Sequence, residues 1–274
     1  MSAVRVRAPA SSANLGSGFD CAAVALELWN ELEVADGDGD PDLDHLGVRA
    51  FARLAPVEGH RFAFLDRIPR ERGLGSSAAV IALGLTAANE IAGLGLAAEE
   101  LLAAGVELEG HADNLAAALA GGVCLTWDTR IARLADDTPA IPIALVPEAT
   151  VSTAVARASL PGVVPHEDAT FTVGRATLLG AALATGSADL FAEALADRIH
   201  EPYRASRAPL LAAVREQPPA GAVGSTLSGS GPTVVVWTRP ESVAACSAEL
   251  ESRFPDTAVH VLHVSSRGAH ANEH

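Results

Sequence analysis

Pro69-Arg70-Glu71-Arg72-Gly73-Leu74-Gly75-Ser76-Ser77-Ala78-Ala79 decides how this chain is read. Two glycines flank a leucine, two serines follow, and the alanine-rich stretch 76–92 has the all-round apolar pattern of a buried helix. Glycines let backbone N–H groups approach a ligand closely. The start of a helix adds unpaired N–H donors and a partial positive charge. No acidic residue stands in that helix's first turn, where Asp and Glu are ordinarily favoured. An anion supplied from outside suits the place, with the serines as further donors or one of them as a ligand for Mg2+. An ordinary loop and helix start is the plain alternative. The dinucleotide fingerprint G-x-G-x-x-A fits Gly73, Gly75 and Ala78 but fails on context. Pro69-Arg-Glu-Arg precedes it in place of a strand, and the nearest later acid, Glu90, lies within the helix itself.

Composition narrows the classes further. With 34 acidic and 19 basic side chains in 274 residues, the formal charge is −15, which opposes general nucleic-acid binding. The chain is 49% hydrophobic and 19% charged, a globular composition long enough for one large or two medium domains. Every basic residue is arginine. The absence of lysine excludes the Walker lysine, the protein-kinase strand lysine and Schiff-base or pyridoxal chemistry. Cys21, Cys124 and Cys246 form no CxxC pair, so a disulfide framework or zinc site is not expected and a reducing cytosol fits. The opening MSAVRVRAPA lacks the apolar core of a signal peptide, and the uncharged run 73–89 is shorter than the roughly 20 residues of a membrane span. A cytoplasmic protein without membrane or nucleic-acid partners is expected.

Along the chain, Val4–Ala8 alternates like a strand and enters a Pro/Ser/Gly loop, and Leu26–Val34 reads as a second strand. Residues 36–42 look like a solvated hairpin tip. Their spaced carboxylates are not a calcium loop, because Pro41 and Gly47 stand where Gly and Glu are needed. Helices are expected at 76–92, 97–107 and 113–120, a strand at 123–127, and a domain boundary near Asp136–Pro139. Beyond it come a strand (141–146), helices (170–184, 188–199, 209–216), a strand (233–238), a helix (240–254) and a strand (258–264). Strands and helices interleave without a regular βαβ period, so two mixed α+β domains are expected, not a doubly wound sheet.

Two further segments stand out: Pro9-Ala-Ser-Ser-Ala-Asn14-Leu-Gly-Ser-Gly-Phe-Asp20, and the Gly/Ser loop Gly224–Thr233. With the first, and in this order, they resemble the GHMP kinase superfamily, and within it the homoserine kinases. PASSANLGSGFD is similar to that family's substrate motif, RGLGSSAA to its phosphate loop and LSGSGPT to its third motif. EGHADN (109–114), STAVARASLP (152–161) and HEPYR (200–204) also resemble family segments. The resemblance implies a two-domain fold: residues 1–140 as a ribosomal-protein-S5-domain-2-like ATP-binding domain and 141–268 as a ferredoxin-like α/β sandwich. Residues 269–274 are expected to form a disordered tail.

It also implies ATP-dependent phosphorylation of L-homoserine to O-phospho-L-homoserine in threonine biosynthesis. ATP is the co-substrate, Mg2+ the cofactor, and a homodimer is what the resemblance suggests. Residues 69–79 would bind ATP, with the backbone of Gly73 to Ser77 around the phosphates, and Ser77 and Glu109 would hold Mg2+. Asn14, Asp20, Asp113 and Asn114 would line the homoserine pocket, Asp20 facing the ammonium, while Arg157 and Arg204 clamp the carboxylate with their planar forks. Asn14 and Asp113 would orient the attacking hydroxyl, with Thr153 beside it, and Gly229-Ser230-Gly231 would brace the first motif. Some family members activate the hydroxyl with an Asp–Lys pair, which a chain without lysine cannot do. His111 and His200 read as structural.

Two alternatives stay open: a GHMP kinase for another small alcohol, and an inactive nucleotide-binding member acting as a regulator. Ser17 and Ala112 replace prolines usual in the family. His45 stands where an adenine-contacting Asn is common, which leaves ATP against GTP open.

Overall fold

The computed structural model describes residues 3–272. β1 (Val4–Asn14) and β2 (Gly18–Asp36) form a long antiparallel pair at the heart of the first sheet. α1 (Leu46–Phe51) follows, and β3 (His60–Leu65) returns along the far half of β2. Next come α2 (Ser76–Ala92), α3 (Ala98–Glu109) and α4 (Asp113–Ala120). α2 and α4 pack on β1 and β2, and α3 packs against both helices. β4 (Val123–Trp127) pairs with β2, and β5 (Arg130–Ala135) with β4.

The second half begins with β6 (Ile141–Pro147), followed by α5 (Thr153–Ala158), α6 (His166–Thr185), α7 (Ala188–Ala194), α8 (Glu201–Arg204) and α9 (Pro209–Glu216). β7 (Ala222–Leu227), β8 (Val234–Thr238), α10 (Val243–Arg253) and β9 (Thr257–Val261) complete it. The second sheet runs β7-β8-β6-β9, antiparallel throughout. That is βαββαβ connectivity, the ferredoxin-like arrangement that the family resemblance implied. Together the halves make the two-domain α+β fold.

Several expectations are corrected. The stretch after Ala8 is not a loop: residues 9–14 continue β1, and Ser11 and Ser12 are fully buried. Their hydroxyls are satisfied from other segments, Ser11 Oγ donating to Asn114 Oδ1 at 2.8 Å and Ser228 Oγ to Ser12 Oγ at 2.8 Å. Likewise residues 224–227 belong to β7. The acidic segment 36–42 leads into α1 rather than turning directly into a partner strand. The helix expected over 188–199 stops at Ala194. The Asp197 carboxylate there collects the backbone N–H groups of Ile199, His200 and Glu201 and starts α8. α4 starts at Asp113 as expected, with Ala112 in the cap position and no side-chain capping bond.

The end of the chain is also corrected. After β9 it crosses back to the first sheet, where Ser265 N–H donates to Ala25 O, and β10 (His270–Ala271) pairs with β1. Part of the tail expected to be disordered is therefore a strand, secured by the Arg7 Nε bond to His270 Nε2 at 2.9 Å. Residues 273–274 of that tail lie outside the described residues. The largest hydrophobic cluster runs from Val6, Leu26 and Leu83 to Phe191 and Trp237, so both halves share one core. No described helix is long and apolar enough to cross a membrane.

Candidate active site

α2 is buried along most of its length, which its sequence of small and aliphatic residues allows, and it begins at Gly75 with a left-handed φ of 66°. No side chain caps it and no acid lies in its first turn, so its N–H groups are available. The backbone here has no room for a Cβ. One added at Gly73 would come within 2.3 Å of Ser228 O, and one at Gly75 within 2.0 Å of Ser11 Oγ. The start of α2 faces a cleft of about 480 Å3 between the two halves.

Nine side chains expected at the site line this cleft: Asn14, Asp20, Ser77, Glu109, Asp113, Asn114, Thr153, Arg157 and Arg204. Of the segment 69–79, residues 69–71, 73 and 75–77 line it as well. Arg72 is turned away, donating to Pro147 O and Glu148 O at 2.9 Å each, while Leu74, Ala78 and Ala79 are core residues.

Ser77 Oγ donates to Glu109 Oε1 at 2.8 Å. The Glu109 side chain is only 4% exposed, and burial pushes its carboxyl up to about 7 against the pull of His111 and Ser77. A buried carboxylate beside a hydroxyl at a helix start is a hard-oxygen pair short of positive charge, which fits a magnesium ion. His111 Nδ1 lies 3.2 Å from Asp113 Oδ1 and 3.8 Å from Glu109 Oε1. Burial disfavours its imidazolium, but the two carboxylates outweigh that and raise its pKa. His111, read from the sequence as structural, lines the cleft between Glu109 and Asp113.

The turn between β1 and β2 carries unusual backbone: Asn14, Leu15 and Asp20 all have positive φ. Such conformations in non-glycine residues persist where surroundings over-determine them. Here Asn14 Oδ1 accepts from Asp20 N–H at 3.0 Å, and Asn14 Nδ2 donates to Gly229 O at 2.9 Å, across the domain interface. The Asp20 carboxylate receives both terminal nitrogens of Arg157, at 2.9 and 2.8 Å. Arg204 is 4% exposed, donates from Nη1 to Gly229 O at 3.1 Å, and leaves Nε without a partner. Asp44, His45, Leu46 and Val80 also line the cleft. Only His45 among them had been singled out, and it caps α1 by accepting from Gly47 N–H.

Residues 45–122 match the family "GHMP kinases N terminal domain" and residues 180–256 match "GHMP kinases C terminal". A homoserine kinase from Gloeobacter violaceus is 38% identical, covering 93% of this chain and 94% of its own. The chain belongs to the GHMP kinases, in their homoserine kinase family. A second member of this family, from Clavibacter michiganensis, is 38% identical over 97% of this chain and 93% of its own. The crystal structure of the homoserine kinase from Cytophaga hutchinsonii superposes with a TM-score of 0.86 at 25% identity, covering 99% of this chain and 98% of that one. The GHMP kinase fold thus accounts for both domains and the cleft between them.

Proposed function

We infer that this chain transfers the γ-phosphoryl group of ATP to the side-chain hydroxyl of L-homoserine, giving O-phospho-L-homoserine and ADP, the step that feeds threonine synthesis. The observation that carries the reading is one cleft lined jointly by the glycine-rich start of α2, the Ser77–Glu109 oxygens and a carboxylate facing two arginines. Asp20 is suited to an ammonium. Arg157 and Arg204 are suited to a carboxylate, and the unpartnered Nε of Arg204 wants an oxygen acceptor. A sugar or mevalonate has no use for both charges.

In the reaction the homoserine oxygen forms a bond to the γ-phosphorus while the bond to the β,γ-bridging oxygen breaks. Because that transition state is largely dissociative, the hydroxyl needs placing more than deprotonating, and its proton passes late to a phosphoryl oxygen. Asn14 and Asp113 orient the hydroxyl, with Thr153 beside it and Asn114 held by Ser11. The backbone N–H groups at 73–77 hold the phosphates. Ser77 and Glu109 would hold Mg2+, which when bound neutralises phosphate charge. With no lysine in the chain, positioning and charge carry the rate. The reaction belongs in the cytoplasm, where the three free cysteines stay reduced.

ADP release over a panel of homoserine, mevalonate, shikimate and galactose tests this. Turnover with homoserine alone is expected. Preference for another alcohol would reassign the substrate, and ATP binding without turnover on any alcohol would favour an inactive member.

A further inference from the structure

His200 is completely buried at the cap of α8 and is not among the residues that line the cleft. Its backbone is fixed by the Asp197 carboxylate, which accepts from the N–H of His200 at 2.8 Å and of Glu201 at 2.9 Å. Its ring stacks on Phe19 at 4.9 Å. Nε2 lies 2.8 Å from Gly16 O, and a carbonyl only accepts, so Nε2 carries the proton. Nδ1 lies 3.1 Å from Arg204 Nη1, and guanidinium only donates, so Nδ1 accepts. The neighbours thus dictate one tautomer of a neutral ring.

That ring joins the two charged sides of the amino-acid subsite. On one side it holds the β1–β2 turn carrying Asn14 and Asp20. On the other it holds Arg204, whose Nη1 shares Gly229 O with the amide of Asn14. Phe19, 5.4 Å from the Arg204 guanidinium carbon, closes the other face. We propose that His200 is a positioning residue for the amino-acid substrate: by accepting from Arg204 and donating to Gly16, it sets the distance between the carboxylate clamp and the ammonium-facing turn. This rests on the homoserine reading, since it assigns Arg204 to the carboxylate and Asp20 to the ammonium carried by the same α-carbon.

The test uses His200→Asn, His200→Gln and His200→Ala in the full chain. Asn places an acceptor where Nδ1 stood and restores the Arg204 bond. Gln places a donor where Nε2 stood and restores only the Gly16 bond. Homoserine KM is expected to rise about tenfold or more in His200→Ala and His200→Gln, the scale of one lost bond to a charged group, and to recover most of the way in His200→Asn. ATP KM and kcat should stay within about twofold throughout. A homoserine KM that is unchanged, or that Gln rescues as well as Asn, overturns the proposal, as does a loss shared by both substrates. If His200→Ala does not fold, the Asn–Gln contrast still decides. Wild-type turnover of homoserine, measured first, separates failure of this inference from failure of the functional reading.

Discussion

At the residue scale, the cleft's chemistry comes from groups whose partners are missing or exchangeable. Glu109 keeps a carboxyl near neutrality because burial is not compensated by a nearby permanent cation. Glu109→Gln is expected to raise the Mg2+ concentration for half-maximal rate by at least about tenfold, the lower end of what losing even a supporting partner costs. A Mg2+ titration of initial rates checks it, and an unchanged midpoint would remove Glu109 from the metal site. Asp20 and Arg157 are each about 40% exposed, so their mutual attraction adds little to stability. Asp20→Asn should therefore leave the melting temperature nearly unchanged while raising homoserine KM about tenfold or more, with ATP KM unaltered. Equal losses for both substrates would contradict the separation of the two subsites.

At the element scale, α2 is the longest of the elements whose expected and observed bounds coincide, Ser76–Ala92 in both. The agreement has a local cause: Gly75 and Gly93, both left-handed, punctuate an unbroken run of helix formers. The two glycines should nonetheless respond differently. At Gly75 a Cβ collides with Ser11, whereas at Gly93 it meets nothing within 4 Å. Gly75→Ala is expected to cost about 1–3 kcal/mol and weaken ATP binding, while Gly93→Ala costs about 1 kcal/mol and leaves ATP binding intact. Thermal melts with ATP titrations distinguish them. Where the sequence misled, the cause was tertiary. Ser11 and Ser12 look like loop residues until Asn114 and Ser228, more than a hundred residues away, take their hydroxyls. The short strands β3, β5 and β7 carry no turn signal strong enough to mark them, and His111 is ordinary until α3 ends at Gly110 and sets it between two carboxylates.

At the scale of the whole molecule, one titration couples the site to stability. Burial, the largest influence, lowers the His200 pKa despite the acids at 197 and 201. The unfolded chain takes up a proton near pH 6.5 that the folded chain refuses, so this contribution is full above that pH and is lost as pH falls below it. Compared by urea unfolding, wild type should lose up to about 1.4 kcal/mol per pH unit more than His200→Asn below pH 6.5. Parallel pH curves for the two proteins would show that His200 is already charged in the native state. The return of the chain to β10 has a different kind of consequence. Asn272 N–H bonds to Arg5 O, so the first and last described strands lie side by side. A short linker could close the polypeptide into a ring, and the exposed acidic stretch after β2 would then offer a place to open new ends without cutting through the cleft.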